Sequence, residues 1–493
     1  MIPAPELDYA RLSPLLIVAA TALLGVLVEA FGPRSRRFST QAALALIGSL
    51  AALAASVWLW RAGDFGVADD PGHTVVADQV AVLAWILLTL FAALAVLLFA
   101  DRAPGGGLSA FTGRAADRPG TPEEAEATRA RLEHAEVFPL AMFALLGMMI
   151  FAASADMLTL FVALEVLSLP LYLLCALARH RRLLSQEAAM KYFVLGAFSS
   201  AVFLYGVALA FGASGSFALA DLDTSDEVGV AGLALMTVGL LFKIGAAPFH
   251  AWTPDVYTGA PTPVTAFMAA GTKAAAMVAL LRVLSSATGV EWQPTVAVLA
   301  TVTMIGGSLL AVAQTDVKRM LAYSSVAHAG FLLTGVLGDG GAGAVLFYVF
   351  VYGLSSLGAF ALVVLVRDAS GEATAMARWA GLGRQRPVLG ASLAVFMLSF
   401  AGIPLTGGFI GKWAVFTQAG AAGFWWVVVL GVLASAAAAF FYVRMIAVVF
   451  FAEPDGLAVV PGRTLTTCVV VAAAVGTVTL GVMPGPVLDL MPL

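Results

Sequence analysis

The chain has 493 residues, of which 61% are apolar and only 11% charged, with a mean hydropathy of +0.96 and a net charge of −4. Such a composition excludes a soluble multidomain protein and leaves a polytopic membrane protein with the lipid bilayer as its surroundings. The small net charge and the lack of a basic tract give no footing for nucleic acid as a partner.

The first apolar run, residues 13–31, comes after a start without a basic stretch, so it reads as a span and not as a cleavable signal. Arg34, Arg36 and Arg37 come next, which sets that loop on the cytoplasmic side and the amino terminus outside. At about 20 residues per span, hydropathy divides the chain into fourteen: 13–31, 38–60, 78–100, 136–154, 157–178, 187–211, 228–250, 262–284, 293–313, 318–337, 342–366, 388–419 (broken), 423–451 and 464–483. With this alternation 18 Lys and Arg fall in the cytoplasmic loops, against three (Arg11, Arg61 and Arg282) on the other side. A missed span would scramble that asymmetry, and both termini are expected on the outer side.

Between spans three and four, residues 101–135 form the one extramembrane segment of any size. A Gly- and Pro-rich linker leads into TPEEAEATRARLEHAE, which reads as a short cytoplasmic helix. Thr121 is the expected N-cap and Pro122 the first helical residue; Glu124 would complete a capping box, with Arg129 and Arg131 toward the negative end. It reads as a solvated connector more readily than as a docking element.

Two spans are broken by proline and glycine, in FKIGAAPFHAWTPDVYTGAPTP and SFAGIPLTGGFIGKW. Broken helices at membrane depth survive only where they are buried in protein or line a wet cavity. Each is the fourth span of a five-span unit, spans 4–8 (136–286) and spans 9–13 (287–451). Five is odd, so the second unit is expected upside down relative to the first, the pattern of an inverted repeat with a midplane ion path. Residues 1–100 add three spans before this pair and residues 452–493 a last span after it. The lysines at the two breaks differ in offset: Lys243 precedes its proline by five residues, whereas Lys412 lies eight beyond Pro404.

Four of the five lysines lie inside spans, and a cation at the centre of a membrane helix costs roughly 2.5–3.5 kcal/mol. Lys273 is too deep to reach an interface by snorkelling, and Lys243 lies 15 residues in from the outer side of its span, next to a break. Lys412 could reach the outer surface, but the glycine break beside it favours a functional place. Lys191 lies four residues after Glu187, so a helix-surface ion pair competes with function. Lys318, beside Arg319 at a loop edge, reads as ordinary. Glu165 is a mid-span carboxylate expected to pair with a lysine of a neighbouring helix. His328 sits mid-span, where the plain alternative is a hydrogen-bonded core histidine; it could link Lys273 with Lys412. His250 and Arg444 are weaker candidates, Arg444 being a snorkelling cation that could pair with a carboxylate. Cys175 and Cys468 read as small buried hydrophobes, without the clusters that a metal, haem or iron–sulfur site needs.

Burial works against a lysine's charged form and a nearby carboxylate restores it, so a Glu–Lys pair is a proton switch. Several such sites titrate as a set. No nucleotide-binding motif supplies the driving force, so it has to come from a partner protein or an ion gradient.

Glu165, Lys243 with GAAPFHAWTPDVYTGAPTPV, Lys273, DVKRMLAYSSVAHAGF and GIPLTGGFIGKW together resemble the antiporter-like subunits of respiratory complex I (NADH-quinone oxidoreductase), a family shared with multisubunit Na+/H+ antiporters. The resemblance runs from about residue 136 to 450. Lys412, where subunit M would carry a glutamate, points to the subunit N branch, as does an end at Leu493 without the lateral helix of subunit L. The resemblance implies that Glu165 and Lys243 form an input site, Lys273 with His328 a connection and Lys412 an output site, with Lys191 as a further family lysine. It also implies proton pumping driven by electron transfer from NADH to quinone, with FMN, iron–sulfur clusters and quinone in partner subunits and no cofactor in this chain. The partners would be neighbouring antiporter-like and small helical subunits in a bacterial-type cell membrane. Two rivals are a cation/proton antiporter subunit and a scaffold whose lysines merely pair internally.

Overall fold

A computed structural model describes residues 8–66, 74–102, 108–338, 340–368, 371–454 and 463–491. The chain is helical almost throughout. Three helices come first: α1 (Tyr9–Phe31), α2 (Arg34–Ala62) and α3 (Gln79–Ala100). A short surface helix, α4 (Pro122–Arg129), precedes α5 (Val137–Ala153), α6 (Met157–Cys175) and α7 (Arg182–Ser214). Then α8 (Glu227–Ile244) and α9 (Trp252–Gly259) flank the first break, and α10 (Thr262–Phe267) continues through a π-helical turn at Met268–Thr272 into α11 (Lys273–Ser286). The second half holds α12 (Gln293–Val312), α13 (Val317–Gly335), α14 (Gly341–Leu365), the single turn α15 (Leu382–Gln385), α16 (Pro387–Ala401) and α17 (Gly407–Ala421). It closes with α18 (Trp425–Phe451), α19 (Thr464–Val482) and the single turn α20 (Gly485–Leu488). A two-residue antiparallel pair, β1 (Arg367–Asp368) with β2 (Gly371–Glu372), lies between α14 and α15.

Among the described residues, eleven helices are long and apolar enough to cross a membrane, and α5 and α16 are shorter apolar helices. Their outward faces are greasy: Leu23, Phe198, Trp413, Trp425 and Phe440 are all exposed, as lipid contact requires. The centre is tighter. Helix α14 and the α10–α11 pair are each 94% buried along the apolar stretch.

Both sequence breaks are real and are built alike. Helix α8 ends at Gly245 in the left-handed region (φ 78°, ψ 37°), whose N–H donates to the Leu241 and Phe242 carbonyls while the Ala246 N–H reaches back to Leu241. Helix α16 ends at Gly402 (φ 79°, ψ 43°) with the same bonds to Leu398 and Ser399, and Ile403 reaching back to Leu398. Glycine serves here because a Cβ resists a positive φ. The recurrence extends further. Asp156 caps α6 by accepting from the Thr159 N–H, and Asp316 caps α13 by accepting from Arg319. Each aspartate also forms an isolated antiparallel bridge, to Ala218 and to Ala375. Gly147 packs directly on the Leu167 backbone and Gly307 on that of Ala327; the spacing from Gly147 to Gly307 is the spacing from Asp156 to Asp316.

Two expectations of local structure fail. The α4 helix forms where expected, but the capping box does not: the Thr121 hydroxyl donates to the Arg118 carbonyl at 2.9 Å, and Glu124 accepts from the Gly120 N–H at 2.7 Å. Cys468 is exposed, unlike Cys175, because its α19 position faces outward; both are free thiols.

Candidate functional site

Lys243, Lys273, Lys412 and His328 are each at most 4% exposed and lie inside the bundle. None of the three lysines forms an ion pair among the described residues. Each is instead wrapped by oxygen acceptors and an aromatic face.

Lys243 stands in the last turn of α8, just before Gly245. Its ammonium donates to the Ser168 hydroxyl of α6 at 2.7 Å and to the Tyr192 hydroxyl of α7 at 3.1 Å. It also lies over the Tyr192 and Tyr172 rings. Tyr192 is held by a 4.7 Å stack on Trp252, whose indole N–H donates to the Phe242 carbonyl. The expected direct pair with Glu165 is not formed. Ser168, one turn along α6, intervenes, and Oε1 of the half-buried Glu165 carboxylate has no hydrogen-bond partner.

Lys273 begins α11 immediately after the π-helical turn, and donates to the hydroxyl of Ser325 on α13 at 2.7 Å and to that residue's carbonyl. Its ammonium lies 5.1 Å from the centre of the Tyr352 ring. A π turn adds a residue to the helix and re-aims the side chains beyond it, and such turns are frequent at functional sites. Nothing in the sequence around Lys273 had pointed to it.

His328 sits one turn beyond Ser325. Its Nδ1 lies 2.7 Å from the Tyr348 hydroxyl and its Nε2 3.3 Å from that of Tyr442, which also meets the Ser324 hydroxyl. The histidine is thus hydrogen-bonded to tyrosines, not to either lysine. Toward Lys412 the way is aromatic: His328 packs on Phe331 and Phe400 at 5.8 and 5.3 Å between ring centres, and Lys412 lies 4.4 Å over Phe331.

Lys412, in α17 beyond the second break, turns inward. It donates to the Phe400 and Ala401 carbonyls at 2.8 and 3.2 Å, exposed to it where α16 ends, and to the Ser435 hydroxyl at 2.7 Å. The break therefore supplies acceptors that an unbroken helix would keep for itself.

The remaining candidates are dispersed. Lys191 pairs with Glu187 at 2.8 Å, as spacing suggested, but also with Asp255 of α9 at 2.7 Å; Asp255 in turn meets Arg319 at 3.2 Å. His250, in the first break, is half-buried with no partner for its Nδ1. Arg444 donates to the Gln314 carbonyl at 2.6 Å, not to a carboxylate. Lys318 overturns its reading as an ordinary loop-edge lysine: it is 3% exposed, donates to the Ala260 carbonyl at 2.9 Å and lies 3.8 Å from Glu372. Loops far apart in sequence fold over it, which adjacency to Arg319 could not reveal.

Residues 154–437 match the family described as NADH:quinone oxidoreductase/Mrp antiporter, transmembrane. The chain is 53% identical over 520 aligned residues to a protein named NADH-quinone oxidoreductase subunit N from Nocardioides sp. strain JS614, covering 99% of this chain and 97% of that one. Among solved structures it is 35% identical, with a TM-score of 0.81, to a chain of respiratory complex I from Thermus thermophilus with bound aureothin, covering 97% of this chain and 99% of that one. A chain of the Mrp complex from Dietzia sp. DQ12-45-1b shares the fold at 22% identity and a TM-score of 0.82, over 98% and 96% of the two chains. With its buried lysine row on the two broken helices and between them, this chain belongs to the NADH:quinone oxidoreductase/Mrp antiporter transmembrane family.

Proposed function

We propose that the buried lysines carry protons across the membrane as part of a NADH:quinone oxidoreductase. The chain is a subunit of that complex, of the type named subunit N, a multi-pass protein of the bacterial plasma membrane whose partners are the other membrane-arm subunits. The observation that carries the proton reading is the bonding of Lys243, Lys273 and Lys412, each buried and met by hydroxyls and carbonyls instead of a fixed counter-charge. A lysine held by a salt bridge is locked charged; one held by neutral acceptors can be emptied and refilled.

Glu165 and Lys243 form the input end, with Ser168 and Tyr192 passing the proton; Lys191, held charged by Glu187 and Asp255, stands at its approach. Lys273 with Ser325 is the central station, His328 with Tyr348 and Tyr442 the link, and Lys412 with Ser435 the output. His250 and Arg444 are lesser members. Each proton moved against the membrane potential costs about 2.3 kcal/mol per 100 mV, supplied by redox chemistry at flavin, iron–sulfur and quinone sites in partner subunits.

Fourteen passes result if α8–α9, α10–α11 and α16–α17 each cross once and α13 crosses despite its polar residues. The matched caps, bridges and glycine breaks support two inverted five-span units, residues 136–286 and 287–451, with residues 1–100, 101–135 and 452–493 outside them. The odd offset of the lysines follows from the register of the two breaks: aligning Gly245 with Gly402 puts Phe400 in the place of Lys243, and Lys412 in that of Asp255. Both termini lie on the outer side.

The test is proton pumping by the purified complex in proteoliposomes, measured beside NADH oxidation. Lys273→Met lowers protons moved per NADH while the complex still assembles. Unchanged pumping overturns the relay and leaves the scaffold reading.

A further inference from the structure

At the membrane face that carries the loops after α3, α6, α9, α12 and α14, a pocket opens between β1, β2 and the start of α7. Its lining includes His180, Arg181, Lys318, Arg367 and Glu372, together with Thr258 and Thr374. Three basic side chains, two of them guanidinium groups, face one carboxylate. That carboxylate is already engaged, accepting from the Thr262 hydroxyl and lying 3.8 Å from Lys318. Arg181 is the N-cap of the 33-residue α7 and stands in the left-handed region (φ 55°), fixed by bonds to Thr374 Oγ1 at 3.1 Å and to the Glu372 carbonyl at 3.4 Å. The Arg367 guanidinium has no hydrogen bond or ion pair among the described residues, and Lys318 spends one of its three donors on Ala260. The N-terminal end of α7 adds its partial positive charge. Burial, then Arg367 and Arg179, hold the His180 pKa below its ordinary value, so this cluster resists taking on a further positive charge.

The geometry points to a site for one phosphate group, either the headgroup of an anionic phospholipid or a free phosphate. A concave cluster of three basic side chains around one engaged carboxylate, a planar guanidinium with no partner among the described residues and a helix N-terminus is the donor set that phosphate oxygens accept from. Its place, among helix ends at a membrane face, is where anionic headgroups are met. Phosphate capture at this face is independent of the lysine relay.

The test is equilibrium binding to the delipidated, detergent-solubilised complex, with radiolabelled inorganic phosphate in one arm and a short-chain phosphatidylglycerol in the other. Arg367→Gln weakens binding about tenfold, the effect of one charged hydrogen bond, and higher salt weakens it further. Glu372→Gln tightens binding in the same assay, a gain that misfolding does not produce. Saturation by lipid alone assigns the site to a headgroup, and saturation by phosphate alone assigns it to a free phosphate. Equal binding by native, Arg367→Gln and Glu372→Gln complexes, or saturation by neither probe, overturns the site.

Discussion

Ser168 meets Lys243 where an ion pair with Glu165 was expected, and Ser325 meets Lys273, for which no ion pair was expected. Each hands a buried lysine one hydroxyl acceptor, and each can pass a proton on because a hydroxyl both donates and accepts. Ser168→Ala leaves the Lys243 ammonium with only Tyr192; losing a charged hydrogen bond of roughly 1.5–3 kcal/mol slows NADH-driven pumping by tenfold or more, read as the initial rate of vesicle acidification. Tyr348→Phe removes the Nδ1 partner of His328 and likewise lowers pumping, whereas a plain core role for that histidine predicts only a small loss of stability. The lysines themselves were legible because a cation amid twenty apolar residues demands an explanation. Their partners were not: a serine or tyrosine in an apolar helix has no spacing that names the lysine it will meet. Lys318 shows the converse, since a burial made by loops distant in sequence leaves no mark on the residues beside it.

At the level of the helix, the breaks were readable from Gly and Pro, but the identity of the two turns was not. It emerges in the matching φ and ψ of Gly245 and Gly402. An alanine at either site has to adopt a left-handed backbone, at about 1–2 kcal/mol. Gly402→Ala also drives a Cβ to within 2.9 Å of the Lys412 side chain, so it reduces pumping as well as the thermal midpoint of the complex, while Gly245→Ala, whose Cβ meets Thr253 Oγ1 at 2.8 Å, acts mainly on the midpoint. The π turn before Lys273 had no such signal, because it costs the sequence nothing that periodicity can register.

For the molecule as a whole, composition and hydropathy gave the membrane class and the positive charges an expected sidedness, and the gathering of Arg181, Lys318 and Arg367 in one pocket puts the segments that carry them on a common face. That this face is cytoplasmic is an expectation with a direct check. Single cysteines placed at Arg181 or Arg378 in a chain without Cys175 and Cys468 react with a membrane-impermeant maleimide in inside-out vesicles and stay unlabelled in intact cells. Labelling in the opposite sense reverses the topology.

The bonds around His328 carry one more consequence. An imidazole flanked by two phenols, Tyr348 at Nδ1 and Tyr442 at Nε2, can take a hydrogen on one nitrogen and give one up from the other. Afterwards its tautomer is reversed and the flanking O–H groups point backward. The next passage in the same sense has to wait until the ring and both hydroxyls have turned over. On the relay proposed above, one proton therefore passes this point per turnover of the ring and its two flanking hydroxyls.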